Sequence, residues 1–253
     1  MARFYFSLVF LTFLSGCSNE IKPDNSNLKN QNDSTQKKGG DCIGIPRTHK
    51  VLDLVSINKT IPGIKVNLAY ASAENFMHEI LYLRCKEADL QKEVALKLAK
   101  AQTILSKIKP EYFLLVYDAA RPLSVQKRMW KALDSIPENI RSNYVSPPTG
   151  KSLHNYGCAV DLTICNEEGV PLDMGAAFDE FRPIAYPSLE AKFLEQGLIS
   201  EKQVSNRKLL RKVMFQAGFK GIDTEWWHFN AFPLKTAKEK FEIIETEKAL
   251  SSN

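Results

Sequence analysis

The sequence predicts a single α+β domain in which helices pack around a central, mostly antiparallel sheet. Apolar residues recur at steps of three and four from Leu90 to Ile108, which indicates one face of an amphipathic helix. An uninterrupted apolar and aromatic run at 112–117 is typical of a buried strand. Because helix and strand patterns do not alternate in the rhythm of a parallel sheet, we favour α+β over α/β.

The remaining elements follow in order along the chain. Pro110 ends the first helix, and Ser124 is expected to cap a second helix that carries Val125 and Met129. A segment without periodicity at 141–151 is expected to form a loop. The later predicted elements are a strand at 159–164, a turn at 166–169, a third helix at 206–216 that stops at Gly218, and a final apolar stretch around Trp226, Trp227 and Phe229.

The beginning of the chain is typical of an export signal. Residues 1–16 contain one charged side chain, Arg3, and an apolar run from Phe4 to Leu14. This run is too short to cross a membrane, which takes about 20 residues in a helix, so we expect a signal peptide that is removed. The sequence at 14–17 (LSGC) resembles the lipobox of bacterial lipoproteins, which implies lipid attachment to Cys17. A plain secretory signal is the alternative.

The composition changes after this signal. Residues 17–40 are rich in Asn, Ser, Asp, Lys, Gln and Gly, and we expect a flexible tether there. The folded domain is expected at 41–232, and a charged tail at 233–253 is expected to be a peripheral helix or a frayed end. Lipid on Cys17 would hold the domain at a membrane. The sequence thus predicts an exported protein, anchored in the cell envelope, facing the periplasm, with the outer membrane as the expected location.

Overall composition limits the classes of partner. The 253 residues are 44% hydrophobic and 25% charged, which is typical of a globular protein and excludes a disordered, collagen-like or disulfide-dense chain. The formal charge of +5 is scattered, and no run of five basic residues occurs. We therefore expect no nucleic-acid partner, and no feature predicts a protein partner.

A histidine and an aspartate lie seven residues apart where the predicted loop meets the second strand. In one uninterrupted strand this odd spacing would direct the side chains of His154 and Asp161 to opposite faces. A bend or bulge at Gly157 would turn His154 back toward the face of Asp161.

Two further segments carry reactive side chains. Glu225 and His228 lie three residues apart, so a local distortion is required if both are to reach one site. Arg121 follows the apolar strand and lies in a connection, where functional groups tend to collect. No G-x-S-x-G motif occurs, and the TGKS at 149–152 lacks the first glycine of a phosphate-binding loop.

Two histidines and one aspartate form a ligand set that suits zinc and leaves a fourth position open for water. Bound zinc brings the pKa of such a water close to neutrality. A glutamate can take the proton of the water, and an arginine can stabilise the oxyanion of a tetrahedral intermediate. The residues thus indicate metal-assisted hydrolysis of an amide. The spacing by itself also allows the alternative that the histidines have a purely structural role. His49 and His78 lack such a context, and we assign them no role.

Five sequence blocks resemble the D-alanyl-D-alanine dipeptidases of the vancomycin-resistance type, a branch of the zinc peptidases that also contains D,D-carboxypeptidases. The blocks follow the order of that family and are NLAYA at 67–71, YDAARP at 117–122, SLHNYGCAVDLT at 152–163, DMGAAFDEF at 173–181 and EWWH at 225–228. The resemblance runs from about Asp53 to Phe229. Tyr156 departs from it, because family members often carry arginine there, which implies a different wall near the metal.

The resemblance implies roles for eight residues. The zinc ligands would be His154, Asp161 and His228, with one ion per chain in a cleft at the edge of the sheet. Glu225 would be the general base, and Arg121 would stabilise the oxyanion.

Three other residues would lie near the substrate, namely Tyr70, Ser152 and Asp179. Asp179 would pair with the free ammonium group of a dipeptide. Asp173 lies in the same block, and either aspartate could instead hold the loop.

We therefore expect zinc-dependent hydrolysis of D-Ala-D-Ala or a close D,D-dipeptide. One alternative is a D,D-carboxypeptidase that trims peptidoglycan stem peptides. Another is a non-catalytic lipoprotein that binds the cell wall, although binding alone requires neither Glu225 nor Arg121.

Four cysteines besides Cys17 occur in a chain that is expected to be exported to an oxidising space. Cys158 and Cys165 would face opposite sides of one continuous strand, which argues against a bond between them. Two alternatives are left for these cysteines: a disulfide between Cys42 and Cys85, or four free thiols.

Overall fold

The computed structural model describes residues 50–250 apart from 86, 143 and 151. The predicted signal peptide (1–16), the lipidated Cys17, the tether (17–40) and the predicted start of the domain at residue 41 lie outside the described residues, as does Cys42. Among the helices that are described, none is long and apolar enough to cross a membrane.

Helices and strands follow one another without a regular alternation. The strands are β1 (Leu54–Ser56), β2 (Lys65–Val66), β3 (Asp89–Gln91), β4 (Phe113–Asp118), β5 (Ala159–Cys165), β6 (Lys220–Gly221) and β7 (His228–Asn230). The α-helices are α1 (Ile57–Thr60), α2 (Lys92–Ile108), α3 (Leu123–Ala132), α4 (Glu138–Arg141), α5 (Glu190–Glu195), α6 (Glu201–Gln216) and α7 (Leu234–Lys240). Short 3-10 helices lie at Ala69–Ala71, Leu153–Tyr156, Pro183–Ala185, Pro187–Leu189 and Glu247–Ala249.

Five strands form the central sheet in the order β2-β4-β5-β7-β6. The β2–β4 pair is parallel, and the pairs β4–β5, β5–β7 and β7–β6 are antiparallel. β1 and β3 form a separate antiparallel pair. The predicted α+β class and the mostly antiparallel sheet are confirmed.

The main core lies between the sheet and two long helices. α2 and α6 contact each other, and they pack against β4 and β5 respectively. α2 buries Val94, Leu98 and Leu105 completely, and burial of each such side chain contributes about 1.5–3 kcal/mol. Every residue of β5 is buried, which explains why this strand reads as an almost continuous apolar run.

The first predicted helix begins too early. Leu90 lies in β3, where it pairs with Val55 of β1, and the helix starts at Lys92. Leu90 is fully buried, so its apolar side chain continues the periodic pattern of the helix although its backbone belongs to a strand.

The start of α3 was predicted wrongly. Pro122 precedes the first turn, and its carbonyl accepts hydrogen bonds from the N–H groups of Val125 and Gln126. Ser124 therefore lies inside the first turn and does not cap the helix.

The third predicted helix, α6, begins at Glu201 and not at residue 206. Ser200 and Gln203 form a capping box: Ser200 Oγ accepts from the backbone N–H of Gln203 at 3.2 Å, and Gln203 Oε1 accepts from that of Ser200 at 2.7 Å. The predicted stop at Gly218 is confirmed, because this residue has φ +95° and its N–H bonds to the carbonyl of Phe215.

The segment after Pro233 begins with α7, a mostly exposed helix, which is one of the two expectations for the tail. The chain beyond α7 packs into the fold and is not frayed. Beyond α7, Phe241 and Ile244 are buried. The N–H of Ile244 donates to the carbonyl of Asn155, and its carbonyl accepts from Leu123, both at 2.8 Å. These bonds tie the segment to the loop before β5 and to the start of α3.

Two buried thiols lie along β5. Cys158 precedes the strand and Cys165 ends it, and both are free. Since the strand is continuous between them, the argument against a Cys158–Cys165 bond is confirmed.

Candidate active site

A β-bulge aligns acidic side chains on two neighbouring strands. Val116 of β4 faces Leu162 of β5, and the next pair is Asp118 with Asp161, so Tyr117 is the extra residue. Because side chains alternate between the faces of a strand, the bulge moves Asp118 to the face that carries Asp161. On the other side of β5, Asp161 pairs with His228 of β7.

His154 reaches the same face from the loop before β5. It lies in the 3-10 helix Leu153–Tyr156, which ends at Gly157 with a left-handed φ of +64°. A Cβ at Gly157 would lie 3.0 Å from Leu54 Cδ2 and 3.2 Å from Gln91 N, so both the backbone conformation and the available space require glycine. The predicted bend at Gly157 is present.

Three ligand atoms converge on one point. Nε2 of His154 lies 3.2 Å from Nδ1 of His228 and 3.3 Å from Oδ1 of Asp161. Nδ1 of His228 lies 2.9 Å from the same oxygen of Asp161. Ligands about 2.0–2.1 Å from a tetrahedral zinc are separated by about 3.3 Å. The triangle therefore fits zinc. Within the described part of the chain, these three residues form a cluster that could hold a metal ion.

The outer nitrogen of each imidazole is held by an oxygen. His154 Nδ1 lies 2.7 Å from the carbonyl of Ala119, and His228 Nε2 lies 2.9 Å from Oδ1 of Asn230. A carbonyl oxygen can only accept, so these outer nitrogens carry protons. The inner nitrogens face Asp161, and a metal would bind there by displacing any proton that they carry.

The carboxyl of Asp161 supplies negative charge to the triangle. Asp161 is buried, yet the charge of His154 and the hydrogen bonds from both histidines hold the pKa of its carboxyl well below its usual range. Burial would lower the pKa of His228, but the bond to Asp161 raises it to about 9. The site is thus an ionised carboxylate placed between two imidazoles.

Glu225 lies beside the triangle, with Oε2 3.9 Å from Nδ1 of His228. The chain bends at Trp226 and Trp227 before β7 begins, which is the local distortion that the spacing requires. Burial raises the pKa of Glu225, while the charge of His228 opposes that shift. A carboxylate of raised pKa beside the ligand set is suited to accept a proton.

Both tryptophans of this segment are buried, and Trp227 also lines the cavity. Of the two, Trp227 therefore faces the site.

Arg121 is aimed into the site by a buried acidic partner. Its Nε donates to Oδ2 of Asp118 at 2.8 Å, and its second terminal nitrogen lies 2.6 Å from the same oxygen. Gln126 accepts from the guanidinium at 3.1 Å, and the guanidinium carbon lies 5.1 Å from the ring centroid of Tyr70. Asp118 also accepts from the hydroxyl of Tyr82 at 2.5 Å. Despite burial, the charge of Asp118 helps to raise the pKa of Arg121.

A cavity of about 210 Å³ brings all eight predicted residues of the folded domain together. Its lining includes the triad His154, Asp161 and His228, together with Glu225, Arg121, Tyr70, Ser152 and Asp179. Apolar and aromatic side chains close the other walls, among them Phe76, Met129, Tyr144 and Phe181.

Tyr156 does not line this cavity. It is buried, and its hydroxyl donates to the carbonyl of Gly150 at 3.2 Å. Tyr156 therefore contributes no side chain to the wall of this cavity.

Asp179 is the most unusual residue of the cavity. Its φ is +60°, which is uncommon for a residue other than glycine. Oδ1 accepts from the hydroxyl of Tyr70 at 3.0 Å, while Oδ2 is buried without a hydrogen-bond partner. Burial, reinforced by the charge of Asp161, raises the pKa of Asp179 to about 8.

Asp173, the other aspartate of this block, lies outside the cavity. It accepts from the side chain of Gln203 and from the backbone of Gly175, both at 2.8 Å, and it does not line the cavity. Of the two aspartates in this block, Asp173 holds the loop and Asp179 faces the site.

Two residues of this site were missed from the sequence. Asp118 stands in the YDAARP block three residues before Arg121, and Asn230 follows His228 by two positions on the same strand face. The strand spacing could have revealed Asn230, whereas the place of Asp118 depends on the bulge at Tyr117.

Comparisons with known proteins identify sequence relatives of this chain. The sequence model of the family Peptidase_M15, described as D-ala-D-ala dipeptidase, matches residues 50–244. The D-alanyl-D-alanine dipeptidase of Escherichia coli (strain K12) is 34% identical over 179 residues, which covers 70% of this chain and 83% of the relative. The D-alanyl-D-alanine dipeptidase of Synechocystis sp. is 31% identical over 172 residues, which covers 56% of this chain and 68% of the relative. Among solved structures, the LdcB LD-carboxypeptidase matches with a TM-score of 0.42 and 20% identity. The match covers 76% of this chain and 74% of that structure.

Proposed function

The chain belongs to the M15 peptidase family of D-Ala-D-Ala dipeptidases, and from that premise we propose how its residues perform the reaction. It is a metallopeptidase that hydrolyses D-Ala-D-Ala, and His154, Asp161 and His228 form its metal-binding triad. We propose that the triad holds one zinc ion per chain. The observation that carries this proposal is the triangle of ligand atoms with edges of 2.9, 3.2 and 3.3 Å.

Zinc held at this triad would act as a Lewis acid and bring the pKa of a water molecule close to neutrality. Glu225 is the general base in our proposal: it takes a proton from the attacking water and delivers it to the amine that leaves. Its position 3.9 Å from His228 and its raised pKa support this role.

Arg121 supplies positive charge for the oxyanion that develops on the carbonyl under attack. It is well suited to this because Asp118 and Gln126 fix the plane of the guanidinium before substrate arrives. A donor that is already oriented requires no rearrangement during the reaction.

Asp179 recognises the free ammonium group of the dipeptide. Support comes from its unpartnered buried Oδ2, since a buried carboxylate oxygen is normally satisfied by a partner. Tyr70 holds the other carboxylate oxygen, and Ser152 contributes a hydroxyl to the wall of the cavity. The small cavity and the demand for a free amine together favour a dipeptide over a longer stem peptide.

The proposal is tested with purified protein by measuring bound zinc and the release of D-alanine from two substrates. We expect one zinc per chain, and release from free D-Ala-D-Ala but not from a stem pentapeptide that ends in D-Ala-D-Ala. Release from the pentapeptide alone would establish the D,D-carboxypeptidase alternative. Bound zinc with neither substrate cut would establish a non-catalytic binding protein.

We further propose that the protein is exported and anchored by lipid on Cys17 in the cell envelope, facing the periplasm. The support is the sequence at 14–17, which resembles a lipobox, and the apolar run before it. Wild-type protein should incorporate a labelled fatty acid and sediment with membranes, whereas Cys17→Ala should do neither. Labelling of the variant at the wild-type level would contradict the anchor.

A further inference from the structure

Arg207 is a fully buried arginine outside the catalytic cavity, and it lies beneath the loop at 173–187. It belongs to α6, and its side chain has no exposed surface. A buried guanidinium is costly unless its donors are paired. Here its partners belong mainly to the loop that carries Asp179.

One guanidinium binds both ends of that loop. Nε of Arg207 donates to the carbonyl of Met174 at 2.5 Å, and a terminal nitrogen donates to the carbonyl of Ile184 at 3.0 Å. Asp179 lies midway, five residues from each. Because the guanidinium is planar and rigid, it fixes the separation of the two carbonyls and hence the span that Asp179 must bridge.

Neighbouring residues of α6 hold the first end of the loop. Nδ2 of Asn206 donates to the carbonyl of Asp173 at 2.8 Å, and Gln203 donates to the carboxylate of the same residue. The third Arg207 nitrogen faces Glu190 at 3.5 Å.

The tip of the loop needs such support. Asp179 has a left-handed φ and a buried carboxylate oxygen without a partner, and the nearby charge of Asp161 opposes its own. Such a conformation persists only where the surroundings hold it in place. The hydroxyl of Tyr70 holds the tip itself, and Arg207 holds both ends.

We infer that Arg207 is a positioning residue for substrate recognition: by clamping Met174 and Ile184 it holds Asp179 where the ammonium group of the dipeptide binds. This inference rests on the proposed role of Asp179. It assigns Arg207 no contact with substrate or with the metal ligands, so its effect should appear in KM and not in zinc content.

The first test compares Arg207→Lys with Arg211→Lys. Arg211 lies one turn further along α6 and pairs with Glu190 at 2.6 and 2.7 Å, and in the part of the chain that the structure describes its bonds go to Glu190 and not to the loop. We expect Arg207→Lys to raise KM for D-Ala-D-Ala about tenfold while kcat stays within about threefold. Arg211→Lys keeps a positive charge beside Glu190 and touches no backbone carbonyl of the loop, so it should leave both within about twofold of wild type.

The decisive test is a double-mutant cycle with Asp179→Asn. If Arg207 acts through Asp179, Arg207→Lys should raise KM in the wild-type background and leave it nearly unchanged in Asp179→Asn. Equal effects in both backgrounds would overturn the inference, and so would a parallel loss of kcat and bound zinc. An inactive wild-type enzyme would instead contradict the proposed function.

Asn206→Ala provides a second variant should Arg207→Lys fail to fold. It removes one bond to the loop, at the carbonyl of Asp173, and leaves the buried guanidinium in place. We expect a smaller rise in KM, about threefold, that also disappears in the Asp179→Asn background. An unchanged KM, or one that rises equally in both backgrounds, would contradict the clamp.

Discussion

At the scale of single residues, Asn230 decides which nitrogen of His228 is available to a metal. Its Oδ1 accepts from Nε2 at 2.9 Å, which leaves Nδ1 facing Asp161. Second partners of this kind fix both the tautomer and the orientation of a metal-binding imidazole.

Asn230→Ala should therefore weaken zinc binding about 10- to 100-fold. The affinity is measured by competition with a chromogenic chelator. Asn166→Ala is the matched control, because Asn166 shapes the turn at the opposite end of β5, and it should bind zinc as the wild type does. Unchanged affinity in Asn230→Ala would show that the Asn230 bond does not tune the ligand.

The sequence revealed the metal ligands, the glutamate and the arginine because these residues stand in contiguous motifs that resemble a known family. It could not reveal Asp118 as the partner that orients Arg121. That role depends on one extra residue, Tyr117, in the pairing of β4 with β5, and a bulge is a property of two strands together.

At the scale of elements, the strongly periodic segments were predictable and their ends were not. The apolar stripe of α2 and the buried run of β4 were identified. Leu90 appeared to extend α2 because strand and helix positions can share one apolar face. α6 began earlier than predicted because its first turn is polar and depends on a capping box, Ser200 with Gln203, instead of on apolar periodicity.

The contribution of the β1–β3 pair to the stability of the fold depends on pH. Asp89 of β3 is buried, and burial together with the charge of Glu87 raises its pKa to about 6, while Lys59 opposes the shift. The folded state therefore resists ionisation of this carboxyl, and stability is lost as the pH rises from about 4 through 6.

Asp89→Asn should raise the free energy of unfolding at pH 7.5 by on the order of 2 kcal/mol and change it little at pH 4. The measurement is urea unfolding at both pH values. Asp134→Asn is the control: Asp134 is exposed in the turn after α3, so its substitution should change the free energy of unfolding by less than about 0.5 kcal/mol at either pH. A gain that is equal at both pH values would contradict this account of Asp89.

At the scale of the whole molecule, the charged tail completes the domain. Its composition concealed this, because Phe241, Ile243 and Ile244 form one short apolar group among lysines and glutamates. The burial of Phe241 and Ile244 depends on a distant surface, formed by the start of α3 and the loop before β5, and no local pattern indicates such a contact.

Ile244→Ala should lower the free energy of unfolding by about 2–5 kcal/mol, the range for truncating a fully buried aliphatic side chain. Ile80→Ala is the control, since Ile80 is 50% exposed, and its cost should stay below about 0.5 kcal/mol. Urea unfolding with zinc present measures both. Similar effects of the two variants would show that the tail is not part of the folded unit.

The most direct test of the account is the activity of Glu225→Gln, measured together with its bound zinc. The substitution keeps the shape of the side chain and removes its capacity to accept a proton. We expect the release of D-alanine from D-Ala-D-Ala to fall about 10²- to 10⁴-fold, with zinc content equal to that of the wild type. Wild-type activity in a variant that retains its zinc would contradict the assignment of Glu225 as the base.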